Sequence, residues 1–371
     1  MSTTQNYWLR RAVAGLAIAP LVLAAAACGG AEAADGSGSG SDSSAGELGG
    51  ATADELRLGY FANVTHAAAV IGVQEGFFED ELGDTTLTTQ VFNAGPDVVE
   101  AIFAGALDAS FIGPSPSINA YGQSGGDAIR IISGAASGGA QLVVRDGIDT
   151  PEDLVGTTLA TPQLGNTQDV ALRTWLTGEG LENSIEGGGD VTVAPTPNAD
   201  TLSLFQSGEL DGAWLPEPWA SRLVIEAGAH VLVDEADLWP DGEFTTTNLI
   251  VRTEFLEQYP GTVEALLRGE VAAVQFVEED LAAAKESVNA GLEAAGSSPL
   301  APEIIDRAFE SLTVTYDPIA SALGKSAQDG FDAGTTETLV DLEGIYDLRP
   351  LNAVLEDLGL DPVSAGGLGE D

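Results

Sequence analysis

The sequence predicts an α/β fold, in which a largely parallel sheet is wrapped by helices. Short apolar strands alternate along the chain with helical segments, and glycine, proline, serine or asparagine stands at many of the strand-to-helix junctions. This alternation is typical of parallel strands joined by crossover helices. The chain has 371 residues, of which 44% are hydrophobic. Its length and apolar content are therefore sufficient for about two domains with buried cores.

The first part of the body begins with an apolar strand and a helix. The next strand alternates threonine with apolar side chains, as a half-buried strand does, and Pro96 suits the first turn of the helix that follows. The predicted elements are, in order, a strand at 56–60, a helix at 67–78, a strand at 85–92, a helix from 95, a strand at 108–113, a helix after 114–116 and a strand at 129–132.

The middle of the chain repeats the alternation, and the chain is mostly helical from residue 254 onward. The predicted elements are a strand at 141–145, a helical turn at 151–154, a strand at 157–160, a helix at 166–177, a strand at 191–193, a helix at 199–206, a strand at 211–215, a helix from 216 to about 228, and strands at 230–233 and 248–252. The strands at 141–145 and 248–252 share one pattern, an amide followed by three apolar residues and an arginine. We expect both to cross between two lobes.

The charge and the residue usage exclude several classes of protein. Thirteen Lys and Arg against 58 Asp and Glu give a net charge of −45, which argues against nucleic-acid binding because phosphate neutralisation requires cations. One cysteine cannot form an intramolecular disulfide or a Cys-x-x-Cys motif. Because there are only two histidines, we expect no metal site, and no cofactor is predicted.

The N-terminus predicts export. Arg10 and Arg11 precede an apolar run at 12–27, so residues 1–27 have the pattern of a secretory signal peptide. Cys28 follows three alanines and resembles the lipidated cysteine of bacterial lipoproteins, although cleavage at an Ala-x-Ala site would leave Cys28 incidental. Residues 28–54 read as a flexible Gly/Ser tether. These features predict an extracytoplasmic protein that is anchored to the cell membrane by a lipid on Cys28, exported by either the Sec or the twin-arginine route.

Five stretches in fixed order resemble one family, the solute-binding lipoproteins of ABC importers in the nitrate, sulfonate, taurine and bicarbonate group. They are GYFANVTH at 59–66, FNAGP at 92–96, GPSP at 113–116, TPQLGNT at 161–167 and AWLPEPW at 213–219. The resemblance implies a type II periplasmic-binding-protein fold, in which two α/β lobes joined by a two-strand hinge close on a ligand cleft. It places lobe 1 at 55–143 plus 249–362, lobe 2 at 144–248 and a flexible tail at 363–371.

The candidate site lies where strands end and helices begin. Ligands of open α/β sheets bind at the carboxyl ends of the strands, and helix N-termini there offer free N–H groups and partial positive charge. Because no lysine is near these positions in sequence, we expect neutral donors to hold an oxyanion. The predicted ligand-binding residues are Asn63, Thr65, His66, Pro114, Ser115, Ser137, Gly138, Gln163, Asn166, Thr167, Trp214, Glu217 and Trp219.

Several of these residues have two interpretations. Ser115 and Asn166 are predicted N-caps that could also contact the ligand, and Ser137 and Gly138 could offer backbone N–H groups. Trp214 and Trp219 suit either the core or a pocket wall. The resemblance implies an acidic residue at the position of Glu217 in relatives, including those that bind taurine. Glu217 could therefore accept from a ligand amine, or it could be a helix-start carboxylate.

The leading hypothesis is a monomeric, non-enzymatic solute-binding protein that captures a small organic anion, an aliphatic sulfonate or a taurine-like molecule, and delivers it to an ABC permease and its ATPase. Nitrate, bicarbonate or a thiamine-pyrimidine precursor are alternative ligands. Two further alternatives are an enzyme on the same fold and a lipoprotein that presents its ligand to a signalling receptor. Against the enzyme, the sequence shows no defensible Ser-His-Asp or paired-histidine pattern.

Overall fold

The computed structural model describes residues 50–371. The predicted signal peptide at 1–27, Cys28 and the tether up to residue 49 lie outside the described residues. Among residues 50–371, no helix combines the length and the apolar character that crossing a membrane would require.

The described chain alternates strands and helices as predicted. The strands are β1 (Glu55–Phe61), β2 (Thr86–Phe92), β3 (Ala109–Ile112), β4 (Ile129–Gly138), β5 (Ala140–Val144), β6 (Thr158–Thr161), β7 (Thr192–Pro195), β8 (Gly212–Pro216), β9 (His230–Asp234), β10 (Thr245–Arg252), β11 (Leu312–Val314), β12 (Tyr346–Asp347) and β13 (Gly369–Glu370). The helices are α1 (Ala67–Gln74), α2 (Phe77–Leu82), α3 (Gly95–Phe103), α4 (Pro114–Gln123), α5 (Thr167–Gly178), α6 (Asn198–Ser207), α7 (Trp219–Ala227), α8 (Thr253–Gln258), α9 (Pro260–Glu279), α10 (Leu281–Ala294), α11 (Pro302–Glu310), α12 (Ala320–Asp332) and α13 (Arg349–Leu358). Short 3₁₀ turns stand at Val64–His66, Pro151–Leu154, Glu235–Leu238 and Pro240–Gly242.

The strands form two sheets, and each sheet is the centre of one lobe. The first sheet has eight strands in the order β13-β12-β4-β10-β3-β1-β2, with β11 also paired to β4. The second has five strands in the order β7-β6-β8-β5-β9. Strands β1, β2 and β3 are parallel, as are β6, β7 and β8, whereas β10 and β5 run antiparallel to their neighbours. The structure therefore confirms a two-lobed α/β fold.

Apolar side chains fill both faces of both sheets. On the first sheet, Leu58 and Phe111 belong to one buried cluster and Ile112 and Ile131 to another on the opposite face. The second sheet likewise has a cluster on each face. Because strands that are covered on both faces read as continuous apolar runs, the short hydrophobic segments of the sequence predicted the strands well.

The chain passes between the lobes at residues 138–139 and again just before Thr245, which differs from the predicted crossing strands. Gly138 and Gly139 have φ values of +76° and +74°, a conformation that glycine adopts without steric cost. Residues 140–144 then lie wholly in the second sheet, and β10 lies wholly in the first. The predicted boundaries at 143/144 and 248/249 are thus displaced by about four residues.

The two arginines of the repeated pattern lie at the outer ends of their strands. Arg145 pairs with Asp211 at 3.1 Å, and Arg252 pairs with Asp108 at 3.0 Å. The pattern therefore marks the end of each strand that faces away from the other lobe, where the arginine forms an ion pair. The chain crosses between the lobes at the opposite ends of these strands.

Both predicted flexible termini of the body are in fact attached to the first lobe where the structure describes them. The amide of Ala53 donates to the Thr262 hydroxyl at 2.8 Å, so the tether cannot extend to residue 54. At the other end, β13 pairs in parallel with β12, and Ala365 is fully buried. The prediction of a flexible tail at 363–371 was wrong because glycine-rich composition masked a short strand.

The predicted helix at 67–78 is two helices. Gly76 has φ +79° and stands between α1 and α2, because a left-handed residue ends one helix and lets the next begin at a new angle. Pro96 stands at the beginning of α3 as predicted.

Helix α9 carries a buried acid in the core of the first lobe. Glu270 is fully buried, and burial raises its pKa well above the usual range, because the charged form loses its hydration. The neighbouring Ser133 hydroxyl lowers this pKa only in part. Its proton is donated to the carbonyl of Tyr316 at 3.2 Å, and neither carboxyl oxygen of Glu270 has a hydrogen-bond partner in the described chain.

Replacing Glu270 by Gln should make the protein more stable than the wild type at high pH. A folded pKa that is raised above the unfolded value gives stability below about pH 4.3, which is lost as pH rises towards the folded pKa. The melting temperature of Glu270→Gln should therefore gain on the wild type between pH 5 and pH 8. Glu278→Gln, at an exposed position of the same helix, should gain nothing, and equal pH profiles for all three proteins would contradict the assignment.

Candidate functional site

A small polar pocket lies between the lobes at the carboxyl ends of the parallel strands. Its cavity volume is about 20 Å³, roughly the room of one water molecule. Residues that follow β1, β2 and β3 line one side, and residues that follow β6, β7 and β8 line the other. The lining residues are Phe61, Asn63, Thr65, His66, Asn93, Gly113, Asn166, Thr167, Gln168, Asn198, Pro216, Thr246 and Thr247. The structure thus has a pocket at the edge where sheet topology predicted it.

Three helices begin at this pocket, so that their N-termini face it. Gly113 is the N-cap of α4, Asn166 is the N-cap of α5, and Asn198 is the first residue of α6. Within residues 50–371, no side chain caps any of these three helices. Their first-turn N–H groups and partial positive charge are therefore arranged to favour an anion in the pocket.

His66 is a neutral wall of the pocket. It is 2% exposed, and its ring lies 4.3 Å from the ring of Phe61, measured between centroids. Burial lowers the pKa of His66 to about 3, so the imidazole is uncharged at neutral pH. The amide of Phe61 makes a long 3.4 Å bond to Nδ1, which leaves the ring proton on Nε2 as a donor.

Two threonine hydroxyls and one amide oxygen are left without partners at the pocket. Thr167 Oγ1, Thr247 Oγ1 and Asn198 Oδ1 are buried and have no hydrogen-bond partner among the described residues. A buried polar group without a partner costs about 1–3 kcal/mol, and most such groups in native proteins are satisfied by water or by a ligand. These three atoms are therefore the ones that a bound molecule would satisfy.

The loop before α5 is held by a buried carboxylate. Asp169 accepts from the Thr161 hydroxyl at 2.8 Å, from the Gly165 amide at 2.9 Å and from Arg173 Nε at 3.0 Å. Asn166 is the N-cap residue that the sequence predicted, but its side chain donates to Gln168 at 3.3 Å instead of capping the helix. Asp169 thus fixes the backbone that presents Asn166 and Thr167 to the pocket.

The lobes are in contact beside the pocket. Trp219 Nε1 in the second lobe donates to Asn63 Oδ1 in the first at 2.8 Å. The amides of Val64 and Thr65 donate to the carbonyl oxygen of Glu217 at 3.1 and 3.3 Å. The N–H groups at this turn, which the sequence offered as anion donors, are therefore already satisfied across the cleft.

Glu217 itself is engaged in an interlobe ion pair. Its carboxylate is fully buried, and Oε1 lies 3.0 Å from Arg307 of α11. Burial raises the pKa of Glu217, and the Ser221 and Arg307 contacts partly offset that shift. The second arginine nitrogen donates to Gln141 at 2.5 Å. The side chain does not line the pocket.

Of the thirteen predicted ligand residues, the structure brings five to the pocket, namely Asn63, Thr65, His66, Asn166 and Thr167. Ser115 is not the N-cap of α4, because the helix begins at Pro114 and the cap is Gly113. Trp214 is fully buried in the core of the second lobe, where its indole N–H donates to Glu235 at 2.7 Å. Gln163 donates to Asp97 across the lobes at 3.2 Å.

Ser137 and Gly138 lie at the crossing between the lobes and line a different crevice. The amide of Gly138 donates to Phe244 at 3.3 Å and that of Gly139 to Ser311 at 2.7 Å. Both amides therefore already donate to backbone carbonyls where the chain crosses between the lobes, and they are not free for a ligand.

Sequence reasoning missed several lining residues. Asn93 and Gly113 stand inside stretches that carried the family resemblance, and Asn198 directly follows a Pro-Thr-Pro strand end. Thr246 and Thr247 begin an antiparallel strand, so the rule that sites lie after parallel strands did not find them. The sequence feature that could have indicated these two residues is the run of three threonines before an apolar segment.

No charged side chain lines the pocket among the described residues. Within the same range, no group of three or more His, Cys, Asp or Glu side chains is arranged to hold a metal ion. The arrangement offers hydroxyl, amide, imidazole and helix-terminal donors to a compact ligand.

Comparison with known proteins gives matches over more than half of the chain. A family model described as the NMT1-like family matches residues 49–291. The taurine-binding periplasmic protein of Escherichia coli (strain K12) is 26% identical over 211 residues, which are 56% of this chain and 62% of that protein. The alignment thus spans less than two thirds of that relative.

Two solved structures have the same fold. One is the alkanesulfonate-binding protein SsuA from Xanthomonas axonopodis pv. citri, with a TM-score of 0.65 and 22% identity over 78% of this chain and 97% of that one. The other is the periplasmic nitrate-binding protein NrtA from Synechocystis PCC 6803, with a TM-score of 0.70 and 16% identity over 84% and 90% of the two chains.

Replacing His66 by Gln should remove an acid-dependent loss of stability. The folded pKa of His66 is about 3, below the unfolded value of about 6.5, so the unfolded state gains a proton first as pH falls. The wild type should lose about 2 kcal/mol of unfolding free energy from this group by pH 5, measured by denaturant titration. His230→Gln is the control, at a half-exposed histidine outside the pocket, and should keep the loss. A His66→Gln profile identical to the wild type would refute the assignment.

Proposed function

The chain belongs to the NMT1-like family, and we propose that it is the extracytoplasmic solute-binding component of an ABC importer, which captures a small organic anion and delivers it to the permease. The observation that carries this proposal is the uncharged polar pocket between the lobes, with three uncapped helix starts and unpartnered threonine hydroxyls. Such a site binds a compact oxyanion through many neutral donors.

Lobe closure is the mechanism that the interlobe contacts support. The bond between Asn63 and Trp219 and the contacts of Glu217 with Val64 and Thr65 can form only when the lobes are together. A ligand that satisfies Thr167 in the second lobe and Thr247 in the first adds to these contacts. Because the ligand binds the closed state more tightly than the open state, it shifts the population towards the closed state.

The place of the protein in the cell is part of the same proposal. Cys28 carries a lipid, the segment before Ala53 tethers the binding domain to the membrane, and a monomer presents its closed lobes to the permease and ATPase.

The small pocket and the fold shared with a nitrate-binding protein make nitrate or bicarbonate the second candidate ligands. The same proposal gives the protein a binding role without catalysis.

Calorimetric titration of the protein without residues 1–28 tests this function. Ethanesulfonate should bind, with nitrate, bicarbonate and a pyrimidine binding more weakly. Replacing Thr167 by Val should weaken ethanesulfonate binding by about tenfold or more, because a hydrogen bond to a charged group contributes about 1.5–3 kcal/mol.

Thr177→Val is the matched control for this titration. It lies on the same helix, and its hydroxyl donates to the carbonyl of Arg173 at 2.9 Å, away from the pocket. Its binding should equal that of the wild type. If no sulfonate gave a heat of binding, the preferred ligand class would be wrong. If Thr167→Val left binding unchanged, the ligand would bind at a site other than this pocket.

A further inference from the structure

Glu217 is a buried carboxylate beside the pocket, and three contacts engage its oxygens. Asp169, which directly follows the lining residue Gln168, is likewise engaged by Thr161, Gly165 and Arg173. Glu217 directly follows Pro216, which lines the pocket. Its Oε1 accepts from Arg307 at 3.0 Å and from the Ser311 hydroxyl at 3.4 Å, and its Oε2 accepts from the Ser221 amide at 3.1 Å. The side chain is fully buried. Both oxygens are therefore committed to partners that do not line the pocket.

Arg307 is equally committed. One guanidinium nitrogen donates to Glu217 and, at 2.7 Å, to the Ser221 hydroxyl, while the other donates to Gln141. The ion pair joins α11 of the first lobe to the second lobe. Removing either partner would leave the fully buried Glu217 carboxylate or the partly exposed Arg307 guanidinium without its counter-charge. The pair is therefore too costly to break for the sake of a ligand amine.

Within residues 50–371 the pocket has no carboxylate that would compensate a buried cation, and its unpartnered acceptor oxygen, Asn198 Oδ1, is neutral. Its lining in the described chain is uncharged. The N-termini of α4, α5 and α6 carry partial positive charge at this edge. His66 has its free ring position as a donor. An ammonium group in this pocket would lose its hydration and meet donors and positive dipoles, with the neutral oxygen of Asn198 as an acceptor but no negative charge to balance its own.

From these contacts we propose that the site selects compact anions without an ammonium group, because Arg307 sequesters Glu217 and the pocket lining has no carboxylate in the described chain. The inference rests on the proposed function and sharpens its ligand class. It separates this chain from the E. coli relative that is named as taurine-binding. A zwitterionic aminosulfonate is rejected, while a sulfonate of the same size with a hydroxyl is accepted.

The test is a pair of nearly isosteric probes on the purified protein. Isethionate and taurine differ only in a hydroxyl against an ammonium group. Isothermal titration should show isethionate binding at least about a hundredfold tighter, since an uncompensated buried charge costs several kcal/mol. Equal or tighter binding of taurine would overturn the inference while leaving the proposed function intact. Binding of neither probe would overturn the inference and the sulfonate function together.

Glu217→Gln adds a second readout that does not depend on how well the lobes close. Loss of the ion pair weakens closure for both probes alike, so the isethionate-to-taurine ratio should stay within about threefold of the wild-type value. If Glu217 were an ammonium acceptor, the ratio would rise about tenfold or more as taurine lost its carboxylate partner. Arg145→Met, which removes an arginine paired with Asp211 at the outer end of the second sheet, is the control and should leave both affinities unchanged.

Discussion

One residue of the second lobe satisfies two elements of the first, and the closed arrangement depends on it. The Glu217 carbonyl accepts from the amides of Val64 and Thr65, and its carboxylate pairs with Arg307. A buried carboxylate and buried backbone donors are costly without partners. Closure of the lobes supplies hydrogen-bond partners for the carboxylate and for the backbone donors at the same time. The pocket, the position of Trp219 against Asn63 and the loss of Glu217 as a ligand group all follow from this contact.

The rest of the site is a consequence of sheet topology. The parallel strands of both lobes end at the pocket, so helix starts gather there, and no Lys or Arg lines the pocket within residues 50–371. A chain with 13 basic residues against 58 acidic ones has few cations to place in a pocket. Neutral donors and helix termini are the remaining means of holding an anion. The buried Asp169 contributes indirectly, because it fixes the loop that carries Asn166 and Thr167.

The alternation of strand and helix signals predicted the α/β sheets and the edge where the pocket lies, because those signals are local, whereas the family resemblance implied the two lobes. Asn166 could be found because an N-cap is set by its immediate neighbours. The orientation of Glu217 could not be found, because its partner Arg307 is ninety positions away in the chain. The same holds for Trp214, whose place in the core depends on Glu235, and for Thr247, which enters the pocket on an antiparallel strand. Residues 138–139 were misread because exposed glycine amides and packed ones look alike in sequence.

A crystal structure of the protein with isethionate is the most direct test of the central claim, which is that closure forms a neutral anion pocket and keeps Glu217 out of it. The account predicts the sulfonate between the lobes, within hydrogen-bond distance of the Thr167 and Thr247 hydroxyls, with Glu217 still paired to Arg307. A ligand bound elsewhere, or a Glu217 carboxylate that has left Arg307 to contact the ligand, would contradict it.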